Sequence, residues 1–149
     1  MRGQYKHTPE DWGGAEEYLS RLGRLVEKVE ARAEYITVMQ TLKAATERAN
    51  PEESKRIEAL IGAENVSLRA DVEEMIRAGA EIRETISRVD DAQLKTLLEL
   101  RFVGCMTWEA VAERMDYERR QIFRKRKAAL DAVAEILKHV TECHCRVEI

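Results

Sequence analysis

Residues 97–130 read LLELRFVGCMTWEAVAERMDYERRQIFRKRKAAL, and this stretch decides the fold. Asp90 and Asp91 supply caps for a dense apolar helix that carries Leu94, Leu97, Leu98, Leu100 and Phe102, and Gly104 predicts its end. Thr107 is a natural N-cap for a short helix with Val111, Ala112 and Met115 turned inward. Asp116-Tyr117 then makes a tight turn. The last helix runs from about Glu118 to Leu137 and buries Ile122, Ala129, Leu130, Val133, Ile136 and Leu137. Helix, short helix, tight turn and longer helix between Asp91 and Leu137 are the parts of a helix-turn-helix.

Charge sharpens this expectation. The 149-residue chain has a net charge of −3, which by itself points to no nucleic-acid partner. Its distribution is uneven, because Glu118–Lys127 holds six cations (Arg119, Arg120, Arg124, Lys125, Arg126, Lys127) against a single anion. With Ile122, Ala129, Leu130 and Val133 inward, the helical period turns Arg119, Arg120, Arg124 and Lys127 outward and leaves Gln121 and Lys125 on the flanks. Arginine suits such a face, since its planar fork engages guanine bidentately and also clamps phosphate; Gln121 suits adenine. Thr107 either offers its hydroxyl and nearby N–H groups to a phosphate or serves simply as a cap. The DNA-binding set expected from the sequence is therefore Thr107, Arg119, Arg120, Gln121, Arg124, Lys125 and Lys127. Trp108 is expected to pack between helices, whereas Phe123 falls partly outward.

Upstream, residues 1–14 mix Gly3, Pro9, Gly13 and Gly14 with polar residues and suggest an irregular arm. From Ala15 to Ala49 the apolar residues Tyr18, Leu22, Leu25, Val29, Ala33, Ile36 and Met39 recur three or four positions apart, the period of one helix face. Asn50-Pro51-Glu52-Glu53 is a stop followed by a start, and the next helix carries Ile57, Leu60, Ile61, Leu68, Val72, Met75, Ile82, Ile86 and Val89, with Gly62 a plausible break. Two helices of this length joined by a tight turn form an antiparallel hairpin about 50 Å long. The fold class expected is all-α: a coiled-coil-like helical hairpin over 15–89, a helix-turn-helix over 90–138 and a flexible tail over 139–149. The narrow aliphatic seam of the hairpin favours a homodimer.

His139, Cys143, His144 and Cys145 form the cluster with metal-ligand chemistry, but adjacent ligands at 143–145 are geometrically awkward, so no metal site and no cofactor is expected. An odd count of three cysteines fits free thiols in a reducing cytoplasm. No apolar run approaches a membrane span, and neither a phosphate-cradling glycine loop nor a nucleophile–base pair can be placed, so a soluble, cytoplasmic, non-enzymatic protein with no membrane partner is expected.

Residues 97–130 resemble the DNA-binding region four of bacterial sigma factors and, more specifically, small phage late-transcription regulators of the ArpU and RinA type. The likeness runs through Leu100, Arg101 and Phe102, then Thr107, Trp108, Glu109, Val111 and Ala112, and continues through Tyr117, Gln121, Ile122, Arg124, Ala129 and Leu130. Asp116 stands where those proteins usually have the turn glycine, and Glu118 where they usually have serine. The resemblance implies a sequence-specific DNA-binding regulator of a phage or prophage, an activator of late genes in a bacterial host, with host RNA polymerase as a further partner. The alternatives are a small-terminase-like DNA-packaging subunit, or an interaction protein that captures polymerase or another regulator through its coiled coil.

Overall fold

The computed structural model describes the backbone from Pro9 to Val147 and the side chains from Gly14 to His139. Five α-helices and one π-helical segment follow in order: α1 (Pro9–Thr46), α2 (Pro51–Ser87), α3 (Ala92–Leu98), the π-helical segment (Glu99–Val103), α4 (Trp108–Arg114) and α5 (Arg119–Val147). Among the described residues there is no strand, so the protein is all-α, and α1 and α2 form the expected hairpin. The helical periods win over the breakers at several places. α1 begins at Pro9 and passes through Gly13 and Gly14, where an irregular arm with at most a short helical turn from Thr8-Pro9 was expected. α2 crosses Gly62 unbroken. α5 continues past Leu137 to Val147, where a tail was expected from residue 139.

The turn between α1 and α2 is built as its residues dictate. Asn50 Oδ1 accepts from the Glu53 N–H at 3.2 Å, Pro51 takes the first helical position, and Glu52 and Glu53 lie in the positively polarised first turn. By its contacts the chain divides into two compact units, one formed by Arg24–Arg77 and the other by the described residues on either side of that span.

In the unit Arg24–Arg77 the covered apolar residues are Ile36, Met39 and Ile57. Ala33 and Leu60, both expected in the core, are exposed. A charged cluster supplements this thin core: Asp71, itself buried, accepts from Arg32 Nε at 2.9 Å and pairs with Lys28 Nζ at 3.3 Å, while Arg32 also holds Glu64. Burial of Asp71 works against its ionised form, but the bonds from Arg32 and Lys28 and their positive charges outweigh it, so its carboxyl titrates below the usual carboxylate range.

In the other unit, Leu19 and Leu22 of α1 are buried together with Ile82 and Ile86 of α2, and the Tyr18 hydroxyl meets Thr85 Oγ1 at 3.0 Å. Asp91 caps α3 by accepting from Gln93 N at 2.8 Å and Leu94 N at 3.2 Å. Leu94, Leu97, Leu98 and Phe102 are buried there with Val111, Ile122, Ala129, Leu130 and Val133, while Leu100, Ala112, Met115, Ile136 and Leu137 are half-buried. The apolar helix ends at Gly104, as expected, but not through a left-handed glycine. It widens instead into the π-helical segment, the Gly104 N–H reaches back to the Glu99 carbonyl at 2.8 Å, and Cys105 takes the left-handed backbone at φ 56°. Gly104 is needed for closeness, because a Cβ there would lie 2.8 Å from the Leu100 carbonyl oxygen.

Two glycines should therefore respond oppositely to alanine. Gly62 faces open space inside α2, so Gly62→Ala should stabilise by up to about 1 kcal/mol in urea unfolding followed by circular dichroism. Gly104→Ala should destabilise by about 1–3 kcal/mol, since only backbone can yield to the new methyl group. The lowered Asp71 titration has its own sign. A carboxyl whose folded value lies below its unfolded value stabilises above about pH 4 and loses that contribution as pH falls through the folded value. Asp71→Asn should thus lower the melting temperature at pH 7, and the gap to the unsubstituted chain should close in scans toward pH 3.

Candidate nucleic-acid interface

α4 has only seven residues, too few to hold a helix without tertiary support, so its ends and one face must be fixed from outside. At its start the Thr107 hydroxyl oxygen accepts from Ala110 N at 3.2 Å. The capping role of Thr107 is therefore observed, and its side chain is exposed. At its end Asp116 adopts the left-handed backbone at φ 57°, and the Tyr117 N–H reaches the Ala112 carbonyl at 2.8 Å, a Schellman closure with aspartate in the usual glycine place. Glu118 then caps α5 with its backbone carbonyl, which accepts from Ile122 N at 3.0 Å, and Gln121 Oε1 accepts from the Glu118 N–H at 2.9 Å. The turn that sets α5 against α4 is thus closed on both sides.

Trp108 fixes the remaining face. Its ring meets Phe102 edge-on at 5.9 Å and 83°, and the guanidinium groups of Arg101 and Arg126 lie 5.4 and 5.2 Å from its centre. Arg101 also donates to the Met106 carbonyl at 2.7 Å, and Arg126 pairs with Glu16 of α1 at 2.9 Å. Trp108 therefore packs between helices, as its sequence position suggested.

The six cations of the basic run divide accordingly. Arg119, Arg120, Arg124 and Lys127 are exposed, with Ile122, Ala129 and Leu130 buried on the opposite side of α5. Gln121 is exposed too, but its carbonyl oxygen is occupied in capping, which leaves its amide nitrogen for an outside partner. Lys125 is half-buried and bonds Gln93 Oε1 of α3 at 3.0 Å. Arg126 is the cation whose role sequence periodicity missed, since its partners Trp108 and Glu16 lie far away along the chain. Beside the exposed cations an open groove of about 620 Å³ runs between α4 and α5, walled by Trp108, Tyr117, Ile122 and Phe123, and Phe123 is 51% exposed at its edge.

Among the described residues, no group of His, Cys, Asp and Glu side chains is arranged to hold a metal ion, and no helix is long and apolar enough to cross a membrane. The side chains of Cys143, His144 and Cys145 lie outside the described residues.

One family model covers these parts. The model of a family described as a protein of unknown function, DUF1492, matches residues 52–134, from the start of α2 into the buried half of α5. No curated protein and no solved structure matches the chain. The matched span covers more than half of the sequence and takes in the whole segment from Asp91 through the exposed cations of α5, and the chain belongs to the DUF1492 family.

Proposed function

We propose that this protein is a sequence-specific DNA-binding regulator of transcription that places the first turns of α5 in the major groove of duplex DNA. The observation that carries this reading is the exposed row Arg119, Arg120, Arg124 and Lys127 at the start of a helix set by a tight turn against a shorter one. In that docking mode the first turns of the second helix meet base edges and flanking phosphates. Arg120 and Arg124, one turn apart and free of described protein contacts to acids, are suited to base edges. Arg119, Lys127 and, on the flank, Lys125 are suited to phosphates, with the Thr107 end of α4 on the backbone. The amide nitrogen of Gln121 supplies a donor beside them.

The resemblance to sigma region four and to the ArpU and RinA regulators supports the more specific form: activation of late genes in a phage or prophage, in the cytoplasm of a bacterial host, together with host RNA polymerase. No cofactor and no catalytic step enters this reading.

The test begins with selection of bound duplexes from a random library, which yields both a site and its half-site spacing. On the selected duplex, Arg120→Ala with Arg124→Ala should weaken binding by about 100-fold or more, at about 1–3 kcal/mol per lost contact, with circular dichroism unchanged. Arg126→Ala should act differently, lowering thermal stability through its lost contacts with Trp108 and Glu16. Unchanged affinity in the double variant would overturn the assignment of the reader face.

A further inference from the structure

The unit Arg24–Arg77 exposes more large apolar side chains than it fully buries. Tyr35, Val38, Leu42 and Leu60 are 48%, 58%, 46% and 51% exposed. They are not scattered. On α1, Ala31, Tyr35, Val38, Leu42 and Ala45 are all exposed and follow one another at alternating intervals of four and three, the spacing of a coiled-coil seam. Each stands one residue before a position covered at least in part on the α2 side (Arg32, Ile36, Met39, Lys43, Thr46), so this second seam is turned by about 100° from the first.

The other helix repeats the pattern. Leu60, Ala63, Ser67 and Ala70 of α2 each precede a residue at least partly covered (Ile61, Glu64, Leu68, Asp71). Because α1 and α2 run antiparallel, the same one-residue offset turns both seams to the same side of the hairpin. The result is a two-helix-wide face whose seam positions carry no charge.

We propose that this face seats a second copy of the chain, two hairpins closing a four-helix bundle. Three observations favour that occupant. The α1 seam from Ala31 to Ala45 spans about 21 Å, and two adjacent helices are about 20 Å across, so pairing would remove roughly 840 Å² in total, the size of a small, reversible interface. The face is also self-complementary in shape. The pairs Arg32–Asp71 and Lys43–Glu58 fix which residues are level on the two helices, and they put the large Tyr35 and Val38 of α1 level with the small Ser67 and Ala63 of α2. A two-fold axis along the bundle then lays Tyr35 and Val38 of each α1 over Ser67 and Ala63 of the other copy's α2, and Leu42 against the other copy's Leu60. Finally, no seam position of this face carries a cation, so the face itself offers no cationic surface to nucleic acid or anionic lipid. This names the surface for the dimer expected from the sequence, and it stands or falls without reference to DNA.

Sedimentation equilibrium on the full chain, without DNA, tests it. At micromolar concentrations the expected mass is twice the 17.2 kDa of one chain. Val38→Lys and Leu60→Lys, each placing an ammonium on the face, should weaken self-association by about 100-fold or more with helical circular dichroism retained; Leu60→Lys carries the test if Val38→Lys loses helicity. Ile76→Lys is the control, since Ile76 is 65% exposed but stands one residue after Met75, on the opposite side of α2, and the dimer should persist. A one-chain mass for the unsubstituted protein up to tens of micromolar, a mass of three or more chains, or dissociation by Ile76→Lys but not by the two face variants would overturn the proposal.

Discussion

The clamp on Trp108 is the contact from which the geometry of the C-terminal helices follows. α4 is too short to persist by propensity, and Thr107 and Asp116 fix only its ends. Its angle to its neighbours is fixed where the indole meets Phe102, Arg101 and Arg126 at once, with Val111 fully buried one turn further on. Arg101 joins that contact to the π-helical segment through the Met106 carbonyl, and Arg126 joins it to α1 through Glu16. Using one arginine of the basic run as an internal brace sets the rotation of α5. That rotation decides which of the other cations reach solvent.

The charge distribution acquires meaning only after this step. A net charge of −3 hides a helix start with four exposed cations, and the two half-buried members of the run are held by Gln93, Trp108 and Glu16. Electrostatic attraction to a polyanion falls off within about 8–10 Å at physiological salt, so local placement matters more than the sum over the chain. The acidic remainder is compatible with DNA binding because it weakens non-specific adhesion elsewhere on the surface.

Much of this was legible in the sequence because it rests on local rules. Asn50, Asp91 and Thr107 cap the helices they precede, and Asp116 takes the left-handed turn, since each effect is confined to three or four residues. The outward face of Arg119, Arg120, Arg124 and Lys127 follows from period alone. Non-local or competing effects were not legible. Gly104 ends the helix as its position suggests, yet the π-helical widening puts the left-handed backbone at Cys105 and leaves Gly104 pressed on the Leu100 carbonyl. Arg126 looks like its five neighbours until a tryptophan and a glutamate distant in sequence claim it. Leu60 matches the core period, but a helix can carry two apolar seams, and only packing shows which one is covered.

The central claim is that four exposed cations on α5 meet phosphates and bases of duplex DNA. The most direct measurement is the salt dependence of affinity for a selected duplex between about 50 and 200 mM salt. Each neutralised phosphate adds about −0.9 to the slope of log affinity against log salt, so the account predicts a slope of about −3 or steeper. Binding that is weak and keeps a slope near zero over that range would contradict it.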